Sequence, residues 1–181
     1  MDENYYFQQG ADIRKMAFAS LFAALIAMGA YAKIPIPFSP VPITLQVFFV
    51  LLAGAMLGAR WGTLSVIVYM LLGVVGLPVF SGGSSGLGVL FGPTGGYLIG
   101  FVIAAFLIGT LSEKKGTSNI PLNAIFMLAG LCVIYLLGVT YLAHTANLTI
   151  ENAFKLGALP FLPGAMLKIA LASVIASKYS I

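Results

Sequence analysis

The chain has 181 residues, of which 60% are hydrophobic and 8% charged, with nine basic and five acidic side chains giving a net charge of +4. Soluble domains carry about 25% charged residues, so no soluble fold hides this much apolar surface and lipid must serve as part of the solvent. The basic residues stand singly or in pairs and make no stripe for nucleic acid, and the single cysteine, Cys132, excludes an internal disulfide and a multi-cysteine metal site.

In chain order, residues 1–13 form a tail. Its segment Glu3–Gly10 looks like a degraded protease-cleavage tag, a natural amphipathic N-terminus being the alternative. A single domain, 14–178, follows. Its apolar runs are Met16–Ala32, Ile43–Leu57, Trp61–Leu77, Thr94–Leu111, Pro121–Ala143 and Leu159–Ala176. Prolines at 35, 37, 40 and 42 separate the first two runs, and Gly58-Ala59-Arg60 separates the next pair. The Gly- and Ser-rich stretch Ser81–Gly92 precedes the fourth run, and the more polar His144–Lys155 precedes the sixth. The runs are continuously apolar rather than alternating, which excludes a β-barrel. The expected fold is an all-α membrane protein of six transmembrane helices. Cys132 and the methionines, Met28 among them, are expected in its core.

Lys and Arg set the topology. Arg14, Lys15, Arg60, Lys114, Lys115 and Lys178 fall on one side of six spans, and only Lys33 and Lys155 on the other. The termini are therefore expected in the cytoplasm, with the proline, Gly/Ser and His144–Lys155 loops outside.

Little catalytic chemistry is available. No Gly-x-x-x-x-Gly-Lys-Ser/Thr loop is present, so the chain is not expected to hydrolyse ATP. One histidine, His144, and scattered acids offer neither paired acid–base groups nor a metal site, and no cofactor is expected. No acid falls within a span, which argues against a self-sufficient proton-coupled carrier, although sodium sites built from carbonyls leave a secondary carrier open. Lys168 is the sharpest feature, at roughly 8–14 Å below the outer surface. A lysine there costs about 2.5–3.5 kcal/mol to insert. It either snorkels to the interface or meets a polar cavity and a ligand. Thr44, Gln46, Thr94 and Tyr97 sit at the same depth. Phe38 and Tyr31 are candidates to sandwich a flat ring, and Ser84 and Ser85 of the Gly/Ser loop are candidate ligand contacts. The helix start at Gly92-Pro93-Thr94-Gly95-Gly96 offers backbone N–H groups to a carboxylate. Ala19, Ala23 and Ala27, four apart, let another helix approach closely, within the chain or from a partner.

Two stretches carry a family resemblance. Pro40-Val41-Pro42-Ile43-Thr44-Leu45-Gln46 is followed by Phe48–Gly54; later, Gly76-Leu77-Pro78-Val79-Phe80 is followed by Gly86–Tyr97 with its Gly-Pro-Thr-Gly-Gly-Tyr. These resemble BioY, the biotin-specific S component of energy-coupling factor (ECF) transporters, over about residues 14–178. The resemblance implies the six-helix S-component fold in a prokaryotic cell membrane. It also implies capture of biotin from outside, and ATP-driven delivery through a transmembrane T component and two ATPase subunits. It places the T-component contact on Ala19, Ala23 and Ala27, and makes the proline loop part of a lid. The family's last helix reads Pro-Gly-Asp-x-x-Lys, whereas here Pro163-Gly164-Ala165 leads to Lys168. Loss of an acceptor costs about 1–3 kcal/mol, so a related vitamin such as lipoate is an alternative ligand.

Overall fold

The computed structural model describes residues 3–179, with side chains from residue 12. Helix α1 (Glu3–Tyr31) leads into a two-stranded antiparallel ribbon, β1 (Lys33–Ile34) and β2 (Ile43–Thr44), that pairs Lys33 with Thr44. Then follow α2 (Gln46–Val74), the short α3 (Leu87–Leu90), α4 (Gly95–Lys115) and α5 (Ile120–Thr145). The chain closes with α6 (Ile150–Gly157), one 3-10 turn and α7 (Leu162–Lys178). The residues expected as a tail are helical from Glu3 onward, while Met1 and Asp2 lie outside the described residues.

Five helical stretches are long and apolar enough to cross a membrane, where the sequence suggests six runs. The difference lies in α2. As a straight rod its 29 residues would span about 44 Å. Instead Gly58 leaves the helical region at φ 79° and ψ −176°, a conformation open to glycine and strained for other residues. The chain then doubles back: a Cβ on Gly62 would stand 2.6 Å from the Ala53 carbonyl oxygen, and Gln46 Nε2 donates to the hydroxyl of Tyr69, 23 positions on. The turn is held from α4. Glu113 Oε1 accepts from the Ala59 N–H at 2.9 Å, and Gly109 lets α4 lie directly on the Gly58–Ala59 backbone.

Helix α4 packs between α2 and α5, with α1 on the other flank of α2 and α7 against α2 and α5. One apolar cluster gathers Leu51, Ile108, Met127 and Ile169 near the end that carries Gly58 and Lys114–Lys115; a second gathers Tyr69, Phe80, Tyr97 and Phe101 toward the ribbon, α3 and α6. The two ends are termed the basic end and the loop end.

Several side chains face the other way from expectation. Cys132 is exposed on the outside of α5, and Met16, Met28 and Met166 are exposed while Met127 is fully buried. A helix that is apolar on every side gives no periodic signal to separate its outer face from its core face. Ala19 and Ala23 are buried within the chain and Ala27 is half-buried. The close approach their size permits is therefore largely used internally. Elsewhere on α1, Gly29 comes so near α2 that its Cβ would lie 3.0 Å from the Gln46 nitrogen.

Candidate binding site

At the loop end the bundle encloses a deep hollow. Its enclosed volume is about 70 Å³, and the space broadens toward an open mouth. Its walls are mostly aromatic and aliphatic, with Phe80, Tyr97, Phe101, Tyr135 and Phe161 as the rings. Glycines set these rings. Gly73 gives way to the Phe80 ring, while Gly138 and Gly157 form the slot that takes Tyr97. Phe80 meets Tyr69 edge to face at 5.6 Å, a geometry favourable for aromatic pairs.

The polar side of the hollow is built by the ribbon and α7. Lys168, the seventh residue of α7, is half-buried in the wall, and its Nζ donates to the Thr44 carbonyl at 2.6 Å. Thr44 Oγ1 in turn donates to Gln46 Oε1 at 3.2 Å, and Gln46, itself buried, donates onward to Tyr69. The lysine thus belongs to a connected polar wall, and it is the backbone of Thr44 that holds it. An ammonium has three donors; one is used here, and among the described residues no carboxylate pairs with it. The one ion pair among them, Lys155 with Glu151 at 2.6 Å, sits on α6.

The expected site residues separate into groups. Lys168, Gln46, Thr44, Thr94 and Tyr97 all line the deep hollow. The hydroxyl of Tyr97 is already engaged, donating to the Gly157 carbonyl at 2.8 Å, so it is the ring that faces the space. Ser84 lines a second, shallower hollow nearer the loops, while Ser85 is exposed and lines neither. Phe38 also lines neither, with 64% of its surface exposed. Tyr31 is exposed and its hydroxyl donates to the Pro78 carbonyl, tying α1 to the loop after α2. The backbone N–H groups of Gly95 and Tyr97 are spent on the carbonyls of Gly92 and Thr94, so the start of α4 is less open to a carboxylate than its sequence suggests. Ala165 is buried in the wall of the deep hollow, one turn before Lys168.

Sequence reasoning missed Ser81, Phe80 and Tyr135. Ser81 lines both hollows, and its buried Oγ has no hydrogen-bond partner among the described residues. Tyr135 lines the deep hollow and its hydroxyl makes no hydrogen bond among those described. The available signal was a tyrosine in the middle of an apolar run, whose hydroxyl needs either a partner or a cavity. Among the described residues no group of three His, Cys, Asp or Glu side chains is placed to hold a metal.

An apolar helical bundle with one aromatic-walled hollow under its loops defines a multi-pass membrane protein built to take a small solute. A family model described as the BioY family matches residues 2–180. A protein of Thermotoga maritima named biotin transporter BioY is 46% identical over 164 residues, covering 91% of this chain and 94% of its own. A protein of Rhizobium etli with the same name is 41% identical, covering 90% of each chain. A crystal structure described as the S-component for biotin from an ECF-type ABC transporter superposes with a TM-score of 0.87 at 32% identity, covering 98% of this chain and 93% of that one. The chain belongs to the BioY family. It is a transport protein and not an enzyme.

Proposed function

We propose that the protein is the biotin-binding S component of an ECF transporter, with six membrane spans and both termini in the cytoplasm of a prokaryotic cell. The reversal at Gly58 supports six spans, since α2 crosses once on each side of that turn. The concentration of basic residues at the Gly58 end supports the orientation. Biotin enters from the loop end. Its ring lies among Phe80, Tyr97 and Tyr135, and a ring oxygen takes a free donor of Lys168. Gln46, Thr44 and Thr94 complete the polar contacts, and the proline and Gly/Ser loops close over the ligand. Ser84 sits at the rim, and Phe38 and Ser85 reach the ligand only if closure carries their loops inward. A T component and two ATPase subunits supply the energy. Of the three alanines spaced along α1, Ala27 retains the most accessible surface for such a partner.

The observation that carries this reading is the ammonium of Lys168, set in the wall of an aromatic hollow and unpaired by any carboxylate among the described residues. Titrating the purified protein with biotin tests it: saturable binding is expected, and no binding at micromolar biotin would defeat the assignment. Ala165 in the wall of the hollow favours a second reading, in which a ligand lacking ring N–H donors, such as lipoate, binds more tightly. A parallel titration with lipoate decides between them. Vesicles holding this chain alone separate the S component from a stand-alone carrier. Uptake driven by an ion gradient without partners would establish the carrier.

A further inference from the structure

The deep hollow holds one cation and the shallow hollow holds another. Lys33, on β1, lines the shallow hollow together with Ser81, Ser84 and Thr94. Its ammonium lies over the backbone of Gly82, where a side chain would collide with it. Among the described residues Lys33 makes no ion pair, and Glu151 pairs with Lys155. The two hollows share Pro42, Ser81, Val89 and Thr94 as common wall. Among the described residues both hydroxyls on that wall are unspent: Ser81 Oγ is buried without a partner, and Thr94 makes no side-chain capping bond to α4. The ribbon links the two cations, since Lys33 stands opposite Thr44 and the Thr44 carbonyl holds Lys168.

We infer that the shallow hollow is the carboxylate end of the ligand site, with Lys33 as its counter-ion and the hydroxyls of Ser81 and Thr94 lining the passage between ring and acid. The chemical class that fits both ends is a small acid with a compact polar ring, joined by an apolar arm to a terminal carboxylate. Desolvation decides the direction. A carboxylate in the deep hollow loses its water and meets an ammonium that already spends one donor on Thr44; at the open mouth it keeps part of its hydration and gains an unpaired cation. This assignment rests on the biotin reading above and adds to it the residue that selects the acid.

The test compares biotin with its methyl ester on the full-length native protein, Lys33→Gln and Lys33→Arg. Native protein is expected to prefer the acid by about tenfold, the size of one charge-assisted contact. Lys33→Gln should lower the affinity for biotin to that for the ester and leave the ester unchanged, while Lys33→Arg keeps the preference. An acid-to-ester ratio that Lys33→Gln leaves unaltered would overturn the inference, as would native protein that prefers neither ligand. Equal loss of both ligands in Lys33→Gln would also overturn it, by showing that Lys33 serves the scaffold. If native protein bound neither molecule, the biotin reading would fail and this one with it. Binding of both with a ratio insensitive to Lys33 would remove this one alone.

Discussion

The two ends of the bundle are built from the same residue types and use them in opposite ways. At the basic end glycine brings backbone onto backbone: Gly62 lies on Ala53, Gly109 on Ala59, and a Cβ on Gly54 would stand 2.8 Å from the Ala105 carbonyl oxygen. Leu51, Ile108 and Met127 fill what space remains. At the loop end three glycines face rings instead, Gly73 against Phe80 and Gly138 and Gly157 against Tyr97, while Gly95 and Gly96 still lie on the Leu90 and Leu137 carbonyls. The rings then stand around a hollow that the chain itself does not fill. Where a glycine faces a ring rather than backbone, the ring is left standing at the edge of the hollow.

Substitutions that add volume at the closed end should give the largest effects. In Gly62→Val a Cβ 2.6 Å from the Ala53 carbonyl forces the hairpin of α2 apart, at about 3 kcal/mol or more. Thermal unfolding in detergent should show a large fall in Tm, and an unchanged Tm would refute the hairpin. The matching change at the open end, Gly138→Val, pushes on a side chain that borders free space. Its stability loss should be smaller, about 1–2 kcal/mol, while biotin affinity falls at least about tenfold as Tyr97 tilts into the hollow. Equal Tm losses in the two variants would erase the contrast between the ends. Glu113→Ala removes the acceptor for the Ala59 N–H at the Gly58 turn. It should cost about 1 kcal/mol and leave biotin affinity unchanged, because the turn lies at the opposite end from the hollow. The smallest stability effect is expected for Ser81→Ala. Removing a buried hydroxyl that has no partner among the described residues should leave the ligand-free Tm unchanged or slightly raised, while biotin binding weakens severalfold for loss of one neutral hydrogen bond. A clear drop in the ligand-free Tm would show that Ser81 is already satisfied within the fold.

The sequence made the apolar runs, their order and the break at Gly58 legible, because proline, glycine and charge punctuate a chain of this kind sharply. It also brought Lys168, Gln46, Thr44, Thr94 and Tyr97 to one depth, and these five line one hollow. Rotation about each helix axis was not legible. Ala19 and Ala23 face inward and Cys132 and Met28 outward, yet all four sit in uniformly apolar stretches with no polar face to orient them. Two further features lie beyond residue-type reasoning. The acceptor for Lys168 is the backbone of Thr44, which any residue at that position would supply. Phe38 stands outside both hollows because the proline loop carries it into solvent, a direction set by loop geometry. Tyr135 and Ser81 were within reach, since a hydroxyl at the middle or edge of an apolar run calls for a partner or a cavity.

On the proposed reading, the lysine in the wall of the deep hollow completes its hydrogen bonding with a solute. Calorimetric titration of biotin into native protein and Lys168→Met measures this most directly, because methionine keeps the length and apolar stem of the side chain while removing the ammonium. Native protein should bind biotin saturably, and the variant should lose about a hundredfold or more in affinity, as expected when a charged donor to a buried acceptor is lost, with its ligand-free Tm close to native. A Lys168→Met protein that binds biotin as tightly as the native chain would contradict the account.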